Sequence, residues 1–209
     1  MTSDLARPET RSGAVGEDTD LSASEKVAPT TPKTLAVGEA VADTANAAVI
    51  VDSIGAGAGS QFEFRPHNCF ACGSLNAHGL QLVLHVEHAR AWTELALDRR
   101  FEGWEGIVHG GILCTILDEV MAWSLVATDN WGLTARMTLS FVKPVLVGRP
   151  IRAEGTILRV RRRLHETTSR IVDLETGVTL ATGEGTYVAA DEARKRELQE
   201  RYLYRTVQR

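Results

Sequence analysis

GIVHGGILCTILDEV, Gly106 to Val120, is the stretch that decides the fold. A run of Ile, Leu and Val is broken at one end by His109-Gly110-Gly111 and near the other by two adjacent acids, Asp118 and Glu119. Burying a carboxylate costs free energy unless a partner answers it, so two acids in an apolar run point towards function. Leu113, Ile116, Leu117, Val120 and Met121 fall on one helical stripe, and Ile112, Trp123 and Val126 widen it. The spacing predicts a helix over residues 110–127, apolar on most sides and therefore buried on most sides, with Gly132 ending it.

Working outward, residues 80–86 (LQLVLHV) and 91–97 (AWTELAL) alternate about a short polar turn and read as a hairpin. Residues 133–142, 151–160, 167–174 and 179–188 are rich in Val, Ile, Thr or Leu. They are separated by turn signals at Lys143-Pro144, Gly148-Arg149-Pro150, an Arg run and Glu175-Thr176-Gly177. The segment DEARKRELQERYLY reads as a C-terminal helix within 191–209, with i,i+4 pairs Glu192–Arg196 and Glu197–Arg201. A hairpin, a buried helix and then a meander make an α+β domain over residues 61–190: an antiparallel sheet wrapped around one long central helix.

The 209 residues allow one domain with a sizeable core and a tail. Residues 1–60 hold no aromatic residue, and their composition predicts a disordered N-terminal tail, with a transient helix over 35–54 or a partner-docking role as alternatives. The N-terminus lacks the pattern of a secretion signal, no apolar run is long enough to span a bilayer, and the three cysteines form no disulfide framework. A cytoplasmic protein without membrane partners is expected. The net charge of −4 is uneven, with nine acids and four bases in residues 1–60. The remainder is near neutral and carries Arg159, Arg161, Arg162 and Arg163, so a small anionic ligand fits better than nucleic acid.

His-Gly-Gly at a helix start has a direct physical meaning. The first helical turn has unpaired N–H groups and a partial positive charge, which attract anions. Glycine permits close approach, so an oxyanion formed in acyl transfer could sit on the N–H of Gly110 or Gly111. The plainer reading is that the glycines only allow tight packing into the sheet. Asp118 lies eight residues beyond Gly110, about 12 Å along the axis, too far for both to touch one reacting carbon. If both serve one reaction they belong to different copies of the chain, and the active unit is at least a dimer.

The segments FEGWEGIVHGGILCTILDE, TARMTLSFVKPVLVGRPI and ATGEGTYV together resemble the hotdog-fold acyl-CoA thioesterases of the PaaI-like type, relatives of the 4-hydroxybenzoyl-CoA thioesterases. The similarity runs over residues 69–189. It implies the hotdog fold, a homodimer or dimer of dimers, and hydrolysis of an acyl-CoA to a free acid and coenzyme A, with no cofactor beyond the coenzyme A of the substrate. The family's catalytic acid falls on Asp118, as general base or nucleophile, with Glu119 the runner-up. Its oxyanion donor falls on the Gly110 N–H, with His109 and Gly111 shaping that region. A hydroxyl that orients water falls on Thr134. Where the best-known relatives place an Asn six residues before the His, this chain has Gly103.

Three further stretches carry signals. His67-Asn68-Cys69-Phe70-Ala71-Cys72, followed by His78, has zinc-binding residue types, but the second Cys pair of a zinc ribbon is missing. The segment is therefore read as a packed loop with no metal, and Cys114 as a small buried apolar residue. Arg161, Arg162 and Arg163 suit coenzyme A phosphates, although a solvated turn explains them equally well. The rivals to a thioesterase are a non-catalytic acyl-CoA or lipid-binding hotdog protein, a hotdog hydratase and a zinc-dependent interaction module.

Overall fold

A computed structural model describes residues 49–51, 60–202 and 205–208, with side chains from Phe64 to Tyr202. The strands are β1 (Val49–Val51), β2 (Ser60–Phe64), β3 (His85–Glu87), β4 (Arg90–Ala96), β5 (Glu102–Trp104) and β6 (Ile107–Val108). Helix α1 (Gly110–Val126) follows, then β7 (Gly132–Phe141), β8 (Pro150–Arg161), β9 (Leu164–Asp173) and β10 (Thr179–Ala189). Helix α2 (Glu192–Tyr202) and β11 (Arg205–Gln208) complete the order. All of these lie in one unit, Asp43–Arg209.

Six strands form an antiparallel sheet in the order β3-β4-β8-β9-β10-β7, and α1 crosses one face of it. This is the sheet-around-a-helix arrangement expected from the sequence. Period-2 burial along β9 and β10 sends His165, Thr167, Ser169 and Ile171, and Ala181, Gly183, Gly185 and Tyr187, to the helix side. Ile116, Leu117, Val120 and Met121 of α1 are fully buried against them, each stabilising the fold by about 1.5–3 kcal/mol. The approach is tight at Gly155 of β8, where a Cβ would lie 2.5 Å from the Val120 carbonyl oxygen.

Several local expectations change. Only His85–Glu87 of the predicted first strand pairs with β4, because the main chain before it is engaged elsewhere. Leu80 N–H donates to Phe70 O (2.8 Å), Leu82 N–H donates to Ala71 O (2.9 Å), and Gln81 takes a positive φ of 49°. Helix α1 ends at Val126, short of Gly132, because Asp129 turns into the left-handed region and Asn130 N–H closes on Leu125 O (3.0 Å). Gly132 instead begins β7. The C-terminal helix stops at Tyr202, and Arg205–Gln208 pairs with β2. In α2 the ion pair is Arg194–Glu197 (2.5 Å), whereas Arg196 donates to the Glu192 main-chain carbonyl (3.2 Å). His165 of β9 is buried, and burial holds its pKa below the usual imidazole value. The tail expected over residues 1–60 lies outside the described residues, except for Val49–Val51 and Ser60, which sit in the three-stranded sheet β1-β2-β11.

A candidate active site on helix α1

Asp118 occupies the middle of α1 and is half-buried. Its Oδ1 accepts two hydrogen bonds, from Thr134 Oγ1 (2.8 Å) and Tyr187 Oη (2.7 Å). The same phenol also donates to the Asp118 main-chain carbonyl (3.1 Å). Thr134 and Tyr187 face each other across β7 and β10, and the register shifts between Thr186 and Tyr187. An irregularity of this kind re-aims side chains, and here it brings both hydroxyls onto one carboxylate oxygen. Burial and the neighbouring Asp118 charge push the Tyr187 phenol well above its ordinary value, so Tyr187 remains a donor. Among the described residues no hydrogen bond reaches Asp118 Oδ2.

The helix N-terminus is organised by His109. Its Nδ1 accepts from Gly111 N–H (2.9 Å), which assigns the ring proton to Nε2. A Cβ on Gly111 would lie 3.0 Å from that nitrogen, so glycine is what lets the ring cap the helix. With Gly111 N–H engaged, Gly110 N–H is left without a partner among the described residues, and the Phe141 ring lies beside the Gly110 Cα. A Cβ on Gly103 would sit 3.0 Å from His109 Cα, so strand β5 passes close against the residue that caps the helix.

Glu119, one residue on, turns about 100° around the helix and joins a different group. Its Oε1 accepts from Trp123 Nε1 (2.8 Å), and its Oε2 lies 4.0 Å from Cys69 Sγ. Burial and the neighbouring Cys69 push its carboxyl up to about 7. The structure thus brings Asp118 and Thr134 together, places His109, Gly110 and Gly111 at the helix start, and sets Glu119 apart from both. Arg161, Arg162 and Arg163 are exposed at the β8–β9 turn, where Arg162 has φ 52° and Arg163 Nε donates to Ala189 O (3.0 Å). Cys114 is half-buried rather than fully enclosed.

Tyr187 is the site residue that sequence reasoning missed. The signal was available: it falls on the inward parity of β10, and a buried phenol needs a polar partner. Two cavities, of 350 Å³ and 390 Å³, open on the sheet face away from α1, lined by outward residues such as Arg136, Glu184, Arg90 and Arg170; neither includes Asp118 or the helix start.

Residues 105–180 match the family model described as Thioesterase superfamily. Acyl-coenzyme A thioesterase 13 of Homo sapiens and that of Pongo abelii are each 23% identical over 95 residues, 44% of this chain and 68% of theirs. A thioesterase superfamily protein of known crystal structure shares the fold with TM-score 0.55 and 24% identity, over 58% of this chain and 60% of that one. Zebra fish thioesterase superfamily member 2 does so with TM-score 0.51 and 16% identity, over 55% and 89%.

Proposed function

We propose that this chain, whose residues 105–180 match the thioesterase superfamily model, is a thioester hydrolase that cleaves an acyl-CoA to the free acid and coenzyme A using Asp118. The observation that carries the reading is one carboxylate whose Oδ1 is fixed by Thr134 and Tyr187 while Oδ2 stays open. An oxygen held in that way is oriented to take the proton of an attacking water, or to attack the thioester itself. A general base is worth about 10²–10⁴ in rate. The carbonyl oxygen, as it becomes an oxyanion, would accept from the unpartnered Gly110 N–H at the positive end of a helix, a donor worth about 10²–10³. The thiolate of coenzyme A leaves with little need for an acid, since thiols have a pKa near 8.5.

Because Asp118 and Gly110 stand about 12 Å apart on one helix, the Gly110 N–H that serves a given Asp118 is assigned to a second copy. Strand β7 supports such a pairing. It is a ten-residue edge strand that carries Thr134 and presents exposed Leu133 and Phe141, and a long unprotected edge is a template for strand addition. A homodimer joined there, or a dimer of dimers, is the proposed assembly. Acyl-CoA as substrate rests on the names of the relatives, with exposed Arg161 and Arg162 offered to its phosphates. A reducing, cytoplasmic setting rests on the three thiols, and no described helix is long and apolar enough to cross a membrane.

The test is thiol release from short, long and aromatic acyl-CoAs by the wild type and by Asp118→Asn, with oligomeric state monitored. A fall of about 10²-fold or more in kcat, with assembly intact, is expected. Undiminished turnover in the variant would remove Asp118 from the mechanism. Binding of coenzyme A without turnover of any thioester by the wild type would identify a non-catalytic acyl-CoA-binding protein.

A further inference from the structure

Glu119 poses the question that Asp118 does not answer. Its carboxylate is enclosed, and among the described residues no Lys or Arg forms an ion pair with it; its neighbours are an indole N–H and a thiol. A buried carboxylate in native structures is ordinarily paired or bound to a metal. What surrounds Glu119 is a set of Lewis bases. The Sγ atoms of Cys69 and Cys72 and a carboxylate oxygen of Glu119 all lie within 4.8 Å of one another. His67 Nε2 stands 3.4 Å from Cys72 Sγ, beside that group rather than within it.

The histidine is oriented as a ligand would be. Its Nδ1 faces the Arg65 carbonyl oxygen at 2.9 Å, and since a carbonyl can only accept, the ring proton sits on Nδ1. Nε2 therefore turns a bare lone pair towards the thiols. A carbonyl holding the far nitrogen of a ligating imidazole is the usual outer-shell arrangement of metal-bound histidine.

The loop that carries these groups is tightly built. Gly73 N–H donates to Cys69 O (3.0 Å), and Leu75 N–H to His67 O (3.1 Å). A Cβ on Gly73 would lie 2.4 Å from both Cys69 N and His67 O, so only glycine lets the chain fold back on itself here. Ligand atoms on a tetrahedral zinc ion with bonds near 2.0–2.3 Å stand roughly 3.3–3.8 Å from one another. The 3.4 Å between His67 and Cys72 lies in that range, and the 4.0 Å between Cys69 and Glu119 is within a small side-chain adjustment of it.

We propose that Cys69, Cys72 and Glu119 form the core of a structural site for a zinc-class divalent cation, pinning the loop after β2 to helix α1, with the His67 imidazole beside Cys72 swinging in as the fourth ligand. Two thiolates, an imidazole and one carboxylate select a borderline-soft first-row ion over magnesium or calcium, which take oxygen ligands. With His67 as the fourth protein ligand the site would be structural rather than one that holds a reacting water. Because Glu119 is bonded in sequence to Asp118, the metal would fix the helix segment that presents the candidate base. The site stands independently of the thioesterase reading.

The electrostatics agree with the geometry. Cys69 is lowered to about 5, chiefly by a hydrogen bond from the Cys72 thiol, while Cys72 is raised by the same bond and by burial. Without a cation, three acidic groups thus divide their protons within a few ångströms.

The experiment uses the full chain, expressed with added zinc and purified without chelators. Metal content is measured by mass spectrometry, free thiols by a disulfide reagent, and cobalt(II) replacement by absorption spectroscopy. About one zinc per chain is expected, with the thiols of Cys69 and Cys72 shielded until a chelator is added. The cobalt form should show strong tetrahedral d–d bands and a thiolate charge-transfer band. Cys69→Ser/Cys72→Ser should abolish both metal and charge-transfer band. Glu119→Gln, which preserves shape if the double variant does not fold, should weaken metal binding by about tenfold or more. A wild type that stays metal-free after zinc loading overturns the proposal. So does a Cys69–Cys72 disulfide in the protein as isolated under reducing conditions, full occupancy in the double cysteine variant, or unchanged affinity in Glu119→Gln.

Discussion

Replacing Tyr187 with Phe removes one oxygen atom and nothing else, and the hydrogen of that atom is directed at Asp118, 2.7 Å from Oδ1 and 3.1 Å from the main-chain oxygen. The ring fits the same buried space, so the fold is expected to persist. Hydrogen bonds to charged groups contribute about 1.5–3 kcal/mol. If that free energy is what holds the carboxylate in its reactive orientation, kcat should fall about 10- to 150-fold, at 1.36 kcal/mol per tenfold. Tyr187 is a positioning residue, enclosed by Met121, Gly185 and the helix, and does not meet the substrate, so KM should be nearly unchanged. Thr134→Val removes the second donor and Thr134→Ser restores it. Because both hydroxyls serve one oxygen, the double variant should be non-additive by about 0.5–3 kcal/mol, as neighbours in one network are. Thiol-release kinetics on the single and double variants measure all of this. Full activity in Tyr187→Phe would refute the reasoning, and so would a loss that appears only in KM, since either result would show that the oriented Oδ1 contributes nothing to turnover.

Two other predictions concern the scaffold. Gly155→Ala places a methyl 2.5 Å from the Val120 carbonyl oxygen, and the rigid sheet and helix cannot both yield, so unfolding in urea should show a loss of about 1–3 kcal/mol; unchanged stability would mean that α1 is free to lift from β8. Asp173 accepts from Arg149 (2.6 Å) and from the N–H groups of Glu175 and Thr176 (2.9 Å and 2.8 Å), and these hold its carboxyl well below the usual carboxylate range. A depressed folded-state pKa contributes stability above the unfolded value of about 3.9. The difference in urea midpoint between wild type and Asp173→Asn should therefore be full at neutral pH and shrink as pH falls below about 4, whereas a constant gap would assign the effect to packing.

The helix was legible because its apolar stripe is local, and residues 110–127 differ from the observed span by one residue at the C-terminal end. The four long strands were legible for the same reason. What was not legible depends on partners distant in sequence. Residues 80–84 look like a strand until Phe70 and Ala71 capture their N–H groups, and nothing in the alternation itself reports that competition. Thr134 was reached through resemblance and Tyr187 was not, although the two stand opposite each other; their meeting is set by a register shift, which periodicity cannot encode. The Cys69–Cys72 pair was discounted for want of a second ligand pair. Glu119, which joins the cluster, lies 50 residues along the chain and by sequence alone reads only as a second candidate base.

The two adjacent acids that opened the problem therefore have separate explanations. A helix advances about 100° per residue, so neighbours cannot share one task on one face. Asp118 turns towards the β7–β10 edge, where two hydroxyls fix it and one oxygen remains for chemistry. Glu119 turns towards the loop after β2, where indole and thiols surround it. Each carboxylate offsets its burial in a different way, one with neutral donors at a half-open edge and the other with a site fit for a cation. Because they are consecutive, the second constrains the first: a ligand that fixes Glu119 also fixes the main chain from which Asp118 projects. That coupling is what makes the metal site relevant to turnover without placing the metal in the reaction.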